Sequence, residues 1–117
     1  MSNEDGIVTF IDTNRLDTKE LRKGWRGRFF HSRKMTFAYY DVKSGASIHE
    51  HSHPNDEVWS VIDGQLEITI ARESRVIGPG CAVVIPPNTP HSVKAITDSR
   101  VIVVDHPPRH SIGDVEL

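Results

Sequence analysis

"EVWSVIDGQLEITI", Glu57 to Ile70, places two alternating runs on either side of an Asp-Gly pair. Side chains two apart on a strand share a face. Trp59 and Val61 before the pair, with Leu66, Ile68 and Ile70 after it, form one apolar set. Asp63-Gly64 suits a two-residue type I′ turn, because both residues tolerate positive φ. The stretch therefore predicts a hairpin pairing Val61 with Leu66, Trp59 with Ile68 and Glu57 with Ile70. Glu57 then points into an apolar interior, where a carboxylate without a partner is costly. That position asks for a cation.

The same alternation runs through most of the chain from residue 25. Strands are predicted at 7–11, 25–31, 35–42, 47–53, 57–62, 65–71, 81–86, 91–97 and 100–105, separated by Gly, Pro, Asn and Asp clusters. One helix is predicted at 13–23, ended by Gly24. Short antiparallel strands with one buried face imply an all-β fold, a small antiparallel β-barrel or jelly roll whose closure removes exposed edges. A length of 117 residues suits one domain: an N-terminal extension 1–24, a barrel core 25–106 and a short tail 107–117.

Composition excludes several classes. Fourteen basic side chains stand against 16 acidic ones, a net charge of −2 that disfavours nucleic-acid and membrane-surface binding. The longest apolar run, Val101-Ile102-Val103-Val104, is far too short to span a bilayer. The polar, acidic N-terminus is unlike a secretory signal, and the single Cys81 excludes an internal disulfide framework. A cytoplasmic protein is the expectation. Cys81, in an apolar strand, reads as an inert buried thiol.

Just before the hairpin stands "HEHSHPNDE", His49 to Glu57, holding three of the seven histidines. On a strand His49, His51 and His53 project together, with same-face neighbours roughly 6.5 Å apart. Two imidazoles at that spacing converge on one ion, at about 2.0–2.2 Å each. Three in a straight row do not, because the outer pair is too spread. The Pro54-Asn55-Asp56 turn brings Glu57 back beside His51 and His53, leaving His49 as a pocket wall or a group behind the ligands. His91, just after the rigid Pro86-Pro87-Asn88-Thr89-Pro90 turn, is the candidate fourth ligand. His31, His106 and His110 stand alone and read as ordinary polar residues. Arg26 and Arg28 share a strand face; a solvated face is the preferred reading over pairing with a substrate carboxylate.

Gly45, His51-x-His53, Glu57 and Gly64 resemble the first motif of the cupins, and Gly80, Pro86-x-Asn88 and His91 resemble the second. The family often has glycine where Asn88 stands and asparagine where Ala95 stands; neither position is a metal ligand. The resemblance implies a conserved β-barrel with one metal held by His51, His53, Glu57 and His91. Three imidazoles and one carboxylate suit a divalent transition metal: Mn, Fe, Ni, Co, Cu or Zn.

"HSHPNDEVW", "IPPNTPHSV" and the closing Pro107-Pro108-Arg109 are also similar to short single-domain cupins of pectin breakdown, which open unsaturated uronic acids to linear keto sugars. In that group the last strand and tail supply an aspartate, an aromatic residue and an arginine. Arg109 matches the arginine, while Val103 stands at the aspartate and Asp105 at the aromatic, so Asp105 becomes the acid/base from a shifted register. The resemblance implies a metal-dependent lyase or isomerase acting on a sugar acid or another oxygen-rich small molecule, with His49, Asp105 and Arg109 as candidate catalytic residues. A dioxygenase, with His49 or Asp105 as base, and a non-catalytic ligand sensor are the alternatives. It also implies a homodimer paired through the 7–11 strand.

Overall fold

The computed structural model describes residues 8–109. It holds ten strands: β1 (Lys19–Arg22), β2 (Trp25–His31), β3 (Thr36–Val42), β4 (Ser47–His51), β5 (Asp56–Asp63), β6 (Leu66–Ile70), β7 (Glu73–Ile77), β8 (Ala82–Ile85), β9 (His91–Ala95) and β10 (Ser99–His106). They form a six-stranded sheet ordered β1-β2-β3-β10-β5-β8 and a four-stranded sheet ordered β4-β9-β6-β7. Every pairing is antiparallel. Strict alternation on β3 and β10 sends Ala38, Tyr40, Val42, Val101 and Val103 inward against Trp25, Ile48, Leu66 and Ile85. This is the all-β jelly roll that the alternation implies. Among the described residues no helix is long and apolar enough to cross a membrane.

The hairpin at Asp63-Gly64 does not form. β5 lies between β10 and β8, and β6 between β9 and β7, so the chain crosses from one sheet to the other at this turn. Trp59, Val61, Leu66 and Ile68 are buried all the same. Alternation is identical for strands that pair and for strands that face each other across a core, so the pattern reveals which side chains are inside but not which strand is the neighbour. Gly64 takes φ +85°, and a Cβ there would lie 2.3 Å from the Asp98 carbonyl oxygen. Its glycine serves a close backbone approach at the corner. The two-residue turn with both φ positive stands instead at Ala71-Arg72, between β6 and β7. Neither residue advertises such a turn, and the exposed, polar β7 shows no alternation, so the sequence reading misses this strand.

The helix at 13–23 is also overturned. Thr13–Arg15 forms one 3-10 turn, with Asp12 accepting a hydrogen bond from the Asn14 amide, and β1 follows. Leu16 and Leu21 make no helical stripe; Leu21 packs on the core from a strand paired to β2. Residues 8–11 of the expected first strand carry no regular structure, and Ile7 lies outside the described residues. Cys81 is exposed, not buried, because it precedes β8 at the sheet edge.

Candidate metal centre

β4 pairs with β9 in one register at Ser47 and Ile48, then shifts before His51 meets His91. A register shift of this kind turns a strand's faces over. Ile48 and His51 therefore both serve the interior although they are three apart, and His49 is exposed. His49 sits at the rim, its Nδ1 3.3 Å from Arg22 Nη1 and its ring 6.2 Å from that of His51.

The main chain aims the remaining imidazoles. His51 Nδ1 donates to the His49 carbonyl at 2.9 Å, and His91 Nδ1 to the Thr89 carbonyl at 2.8 Å. Each bond puts the proton on Nδ1 and leaves Nε2 as a lone pair pointing inward. Asn88 takes φ +58°, a conformation that asparagine, like glycine, accepts. Its amide thereby donates to the His53 carbonyl at 2.7 Å, tying the two motifs together.

His51, His53 and His91 each offer a ring nitrogen, and all three nitrogens lie within 4.8 Å of one another. His51 and His91 have ring centroids 4.3 Å apart. Glu57 closes the group: its Oε2 is 3.2 Å from His53 Nε2 and its Oε1 3.5 Å from His91 Nε2. Trp59 Nε1 donates to Glu57 Oε1 at 2.6 Å and fixes the carboxylate. Burial favours a neutral Glu57, yet the imidazoles of His53 and His91 beside it hold it well below the usual carboxylate range. Burial pulls His51 down; it also pulls on His91, which the nearby Glu57 carboxylate and the bond to the Thr89 carbonyl nevertheless carry above the ordinary imidazole value.

These residues fit a divalent metal ion. His53 Nε2 and His91 Nε2 are buried and make no hydrogen bond. Imidazole nitrogens gathered beside a carboxylate are a donor set that could hold a transition metal, and the structure brings His51, His53, Glu57 and His91 together.

Asp105 lies beneath the ligands. It is the cross-strand partner of Glu57, is 1% exposed, and forms a second ligand-capable group with His53 and Glu57. Burial, and then its bond to Glu57, push its carboxyl up to about 9. Arg109 Nη1 reaches over both carboxylates, 3.7 Å from Glu57 Oε2 and 3.9 Å from Asp105 Oδ2. The tail is held there by buried Thr36, whose Oγ1 accepts the Arg109 amide at 2.7 Å and bonds His31 Nδ1 at 2.7 Å. Asn55 Nδ2 donates to the Pro107 carbonyl. Nothing in the residue types of Thr36 and Tyr40 marked them as part of a site.

A cavity of about 10 Å³ touches Tyr40, His51, Glu57, Asp105 and Arg109. A far larger open groove, about 740 Å³, lies beside Arg22, Lys43 and Gly45 and holds none of the ligands, so volume does not mark the chemistry here. Arg26 is exposed and Arg28 pairs with Asp41 at 3.6 Å on the outer sheet face, as the solvated reading requires. His106 is exposed, and His110 lies outside the described residues.

The family model of the cupin domain matches residues 38–107. The uncharacterised protein SCO3923 of Streptomyces coelicolor is 32% identical over 99 residues, spanning 80% of this chain and 94% of its own. KdgF from Halomonas sp. superposes with a TM-score of 0.86 at 26% identity, over 91% of this chain and 99% of that one. An RmlC-like cupin from Shewanella frigidimarina gives a TM-score of 0.85 over 91% and 96% of the two chains; at 17% identity it speaks to the fold alone.

Proposed function

This chain belongs to the cupin family, and from that premise we propose that it is a metal-dependent lyase or isomerase acting on a sugar acid or a similar oxygen-rich carboxylate. The observation that carries the proposal is the placement of one buried acid, Asp105, and one cation, Arg109, beside the four metal-ligating side chains.

His51, His53, Glu57 and His91 would hold the ion. When bound, the metal supplies Lewis-acid polarisation of a substrate oxygen. Arg109 binds the substrate carboxylate; its guanidinium is 12% exposed, so the pair forms in a site that screens it little. Asp105 moves the proton. Opening an unsaturated uronate takes a proton from the anomeric hydroxyl, breaks the bond from the anomeric carbon to the ring oxygen, and returns a proton to the alkene carbon. No water is consumed. One carboxyl that gives a proton to carbon and recovers one from the hydroxyl completes that exchange. His49 borders the mouth beside Arg22 and orients His51 through its carbonyl.

The resemblance of "HSHPNDEVW" and "IPPNTPHSV" to cupins of pectin breakdown favours an unsaturated uronate as substrate. A homodimer and a cytoplasmic location complete the reading. Val8 and Phe10, 80% and 95% exposed, are apolar side chains that a second copy would cover.

The test follows the loss of ring-alkene absorbance when unsaturated galacturonate is added to protein purified without an affinity tag. Turnover that disappears on chelation and returns with added divalent metal supports the reading. Oxygen uptake with no loss of the alkene favours a dioxygenase instead.

A further inference from the structure

Tyr40 has no place in the chemistry described so far, yet its hydroxyl lies in the site. β3 carries it inward opposite Val101 of β10. Its ring is held edge-on by Trp25 at 5.6 Å and Phe29 at 5.7 Å. Gly27 on β2 leaves room for that ring: a Cβ there would lie 2.8 Å from Tyr40 Cε1. With the ring so fixed, the hydroxyl has little freedom to seek a partner elsewhere. It is buried and makes no hydrogen bond within the protein.

A phenylalanine would pack in the same place. A buried hydroxyl left unpaired is destabilising, so the oxygen of Tyr40 serves something besides packing. It borders the same cavity as Asp105 and Arg109, and that cavity, about 10 Å³, is close to the least volume that holds one water molecule. Tyr40 and Arg109 border one cavity, so a substrate whose carboxylate rests on Arg109 brings the oxygen on the neighbouring carbon towards Tyr40.

We propose that the Tyr40 hydroxyl is a catalytic residue that donates a hydrogen bond to the oxygen on the carbon next to the substrate's carboxylate, so that the site takes 2-oxygenated carboxylates. The assignment rests on the function proposed above. In an unsaturated uronate that oxygen is the ring oxygen, which leaves the anomeric carbon and gains negative charge as the ring opens. A donor aimed at an oxygen where charge develops lowers the barrier more than it tightens ground-state binding. Burial, and then the charges of Glu57 and Asp105, hold the phenol well above its usual value, which keeps it a donor.

The experiment compares wild type and Tyr40→Phe in three measurements on metal-replete protein: metal content, melting temperature without ligand, and turnover of unsaturated galacturonate. The variant is expected to keep its metal and to melt no lower than wild type. Its kcat should fall about 100-fold with KM changed by less than about threefold. Glycolate, the smallest 2-hydroxycarboxylate, should bind about tenfold more weakly to the variant. An unchanged kcat and glycolate affinity, or a melting temperature several degrees lower without ligand, overturns the assignment. Failure of the reading beneath it looks different: wild type lacks metal, or holds metal but leaves the alkene untouched. In the latter case the glycolate comparison decides Tyr40 alone, and wild type that binds no glycolate removes both the substrate class and the role of Tyr40.

Discussion

Asp105 of β10 stands directly across the strand pair from Glu57 of β5, and both carboxyls are buried. Two carboxylates so close cannot both ionise without a cation. The pair resolves this by asymmetry: the imidazoles of His53 and His91 beside Glu57 stabilise its ionised form, and ionised Glu57 in turn disfavours charge on Asp105.

The asymmetry has a consequence for stability against pH in metal-free protein. Asp105 is raised from an ordinary value of 3.8 to about 9, so its contribution is complete below the unfolded value and is lost as pH rises towards 9. Glu57 acts oppositely, contributing above its ordinary 4.5 and losing that contribution as pH falls through its lowered value. Melting temperatures of chelated wild type should therefore decline between about pH 5 and about pH 9 more steeply than those of Asp105→Asn. Parallel pH curves for the two proteins contradict the assignment of the neutral carboxyl to Asp105.

Asn88 tests the link between the motifs. Its left-handed backbone lets its amide reach the His53 carbonyl. Asn88→Gly should lie within about 1 kcal/mol of wild type in urea unfolding, since glycine reaches the same conformation. Asn88→Val should lose about 1–3 kcal/mol, because a β-branched residue is strained there. Its metal affinity should fall as well. Equal stability of the two variants contradicts the argument.

Thr36 tests how the tail is held. Thr36→Val keeps the shape of the side chain and removes the acceptor of the Arg109 amide. KM for unsaturated galacturonate should rise about three- to tenfold, with metal content unchanged. An unchanged KM means that Arg109 is placed by other contacts.

Much of this was legible in the chain. Glu57 was identified as a buried anion because its neighbours at 59 and 61 are apolar, and that inference holds for a strand in either sheet. His51, His53 and His91 were legible from spacing and turn rigidity. The register shift after Ile48 was not legible, because it depends on how β4 meets β9, a pairing that no local pattern encodes. β7 and the Ala71-Arg72 turn were missed for a related reason: tertiary pairing, not residue type, puts both turn residues at positive φ. Tyr40 and Thr36 were not legible as site residues, because a hydroxyl pointing inward acquires a role only from what the opposite strands bring to it.

The exposed Val8 and Phe10 give a prediction about assembly. Wild type should sediment as a dimer, and a double change of Val8→Ser with Phe10→Asp should shift it towards monomer without loss of metal. A monomeric wild type contradicts the proposed pairing.

The most direct test of the metal centre is elemental analysis of untagged protein beside His51→Ala and His91→Ala. The account expects close to one equivalent of a divalent transition metal in wild type and a loss of most of it in each variant, with the β-sheet circular dichroism retained. Full metal content in both variants, or none in wild type grown with ample metal, contradicts it.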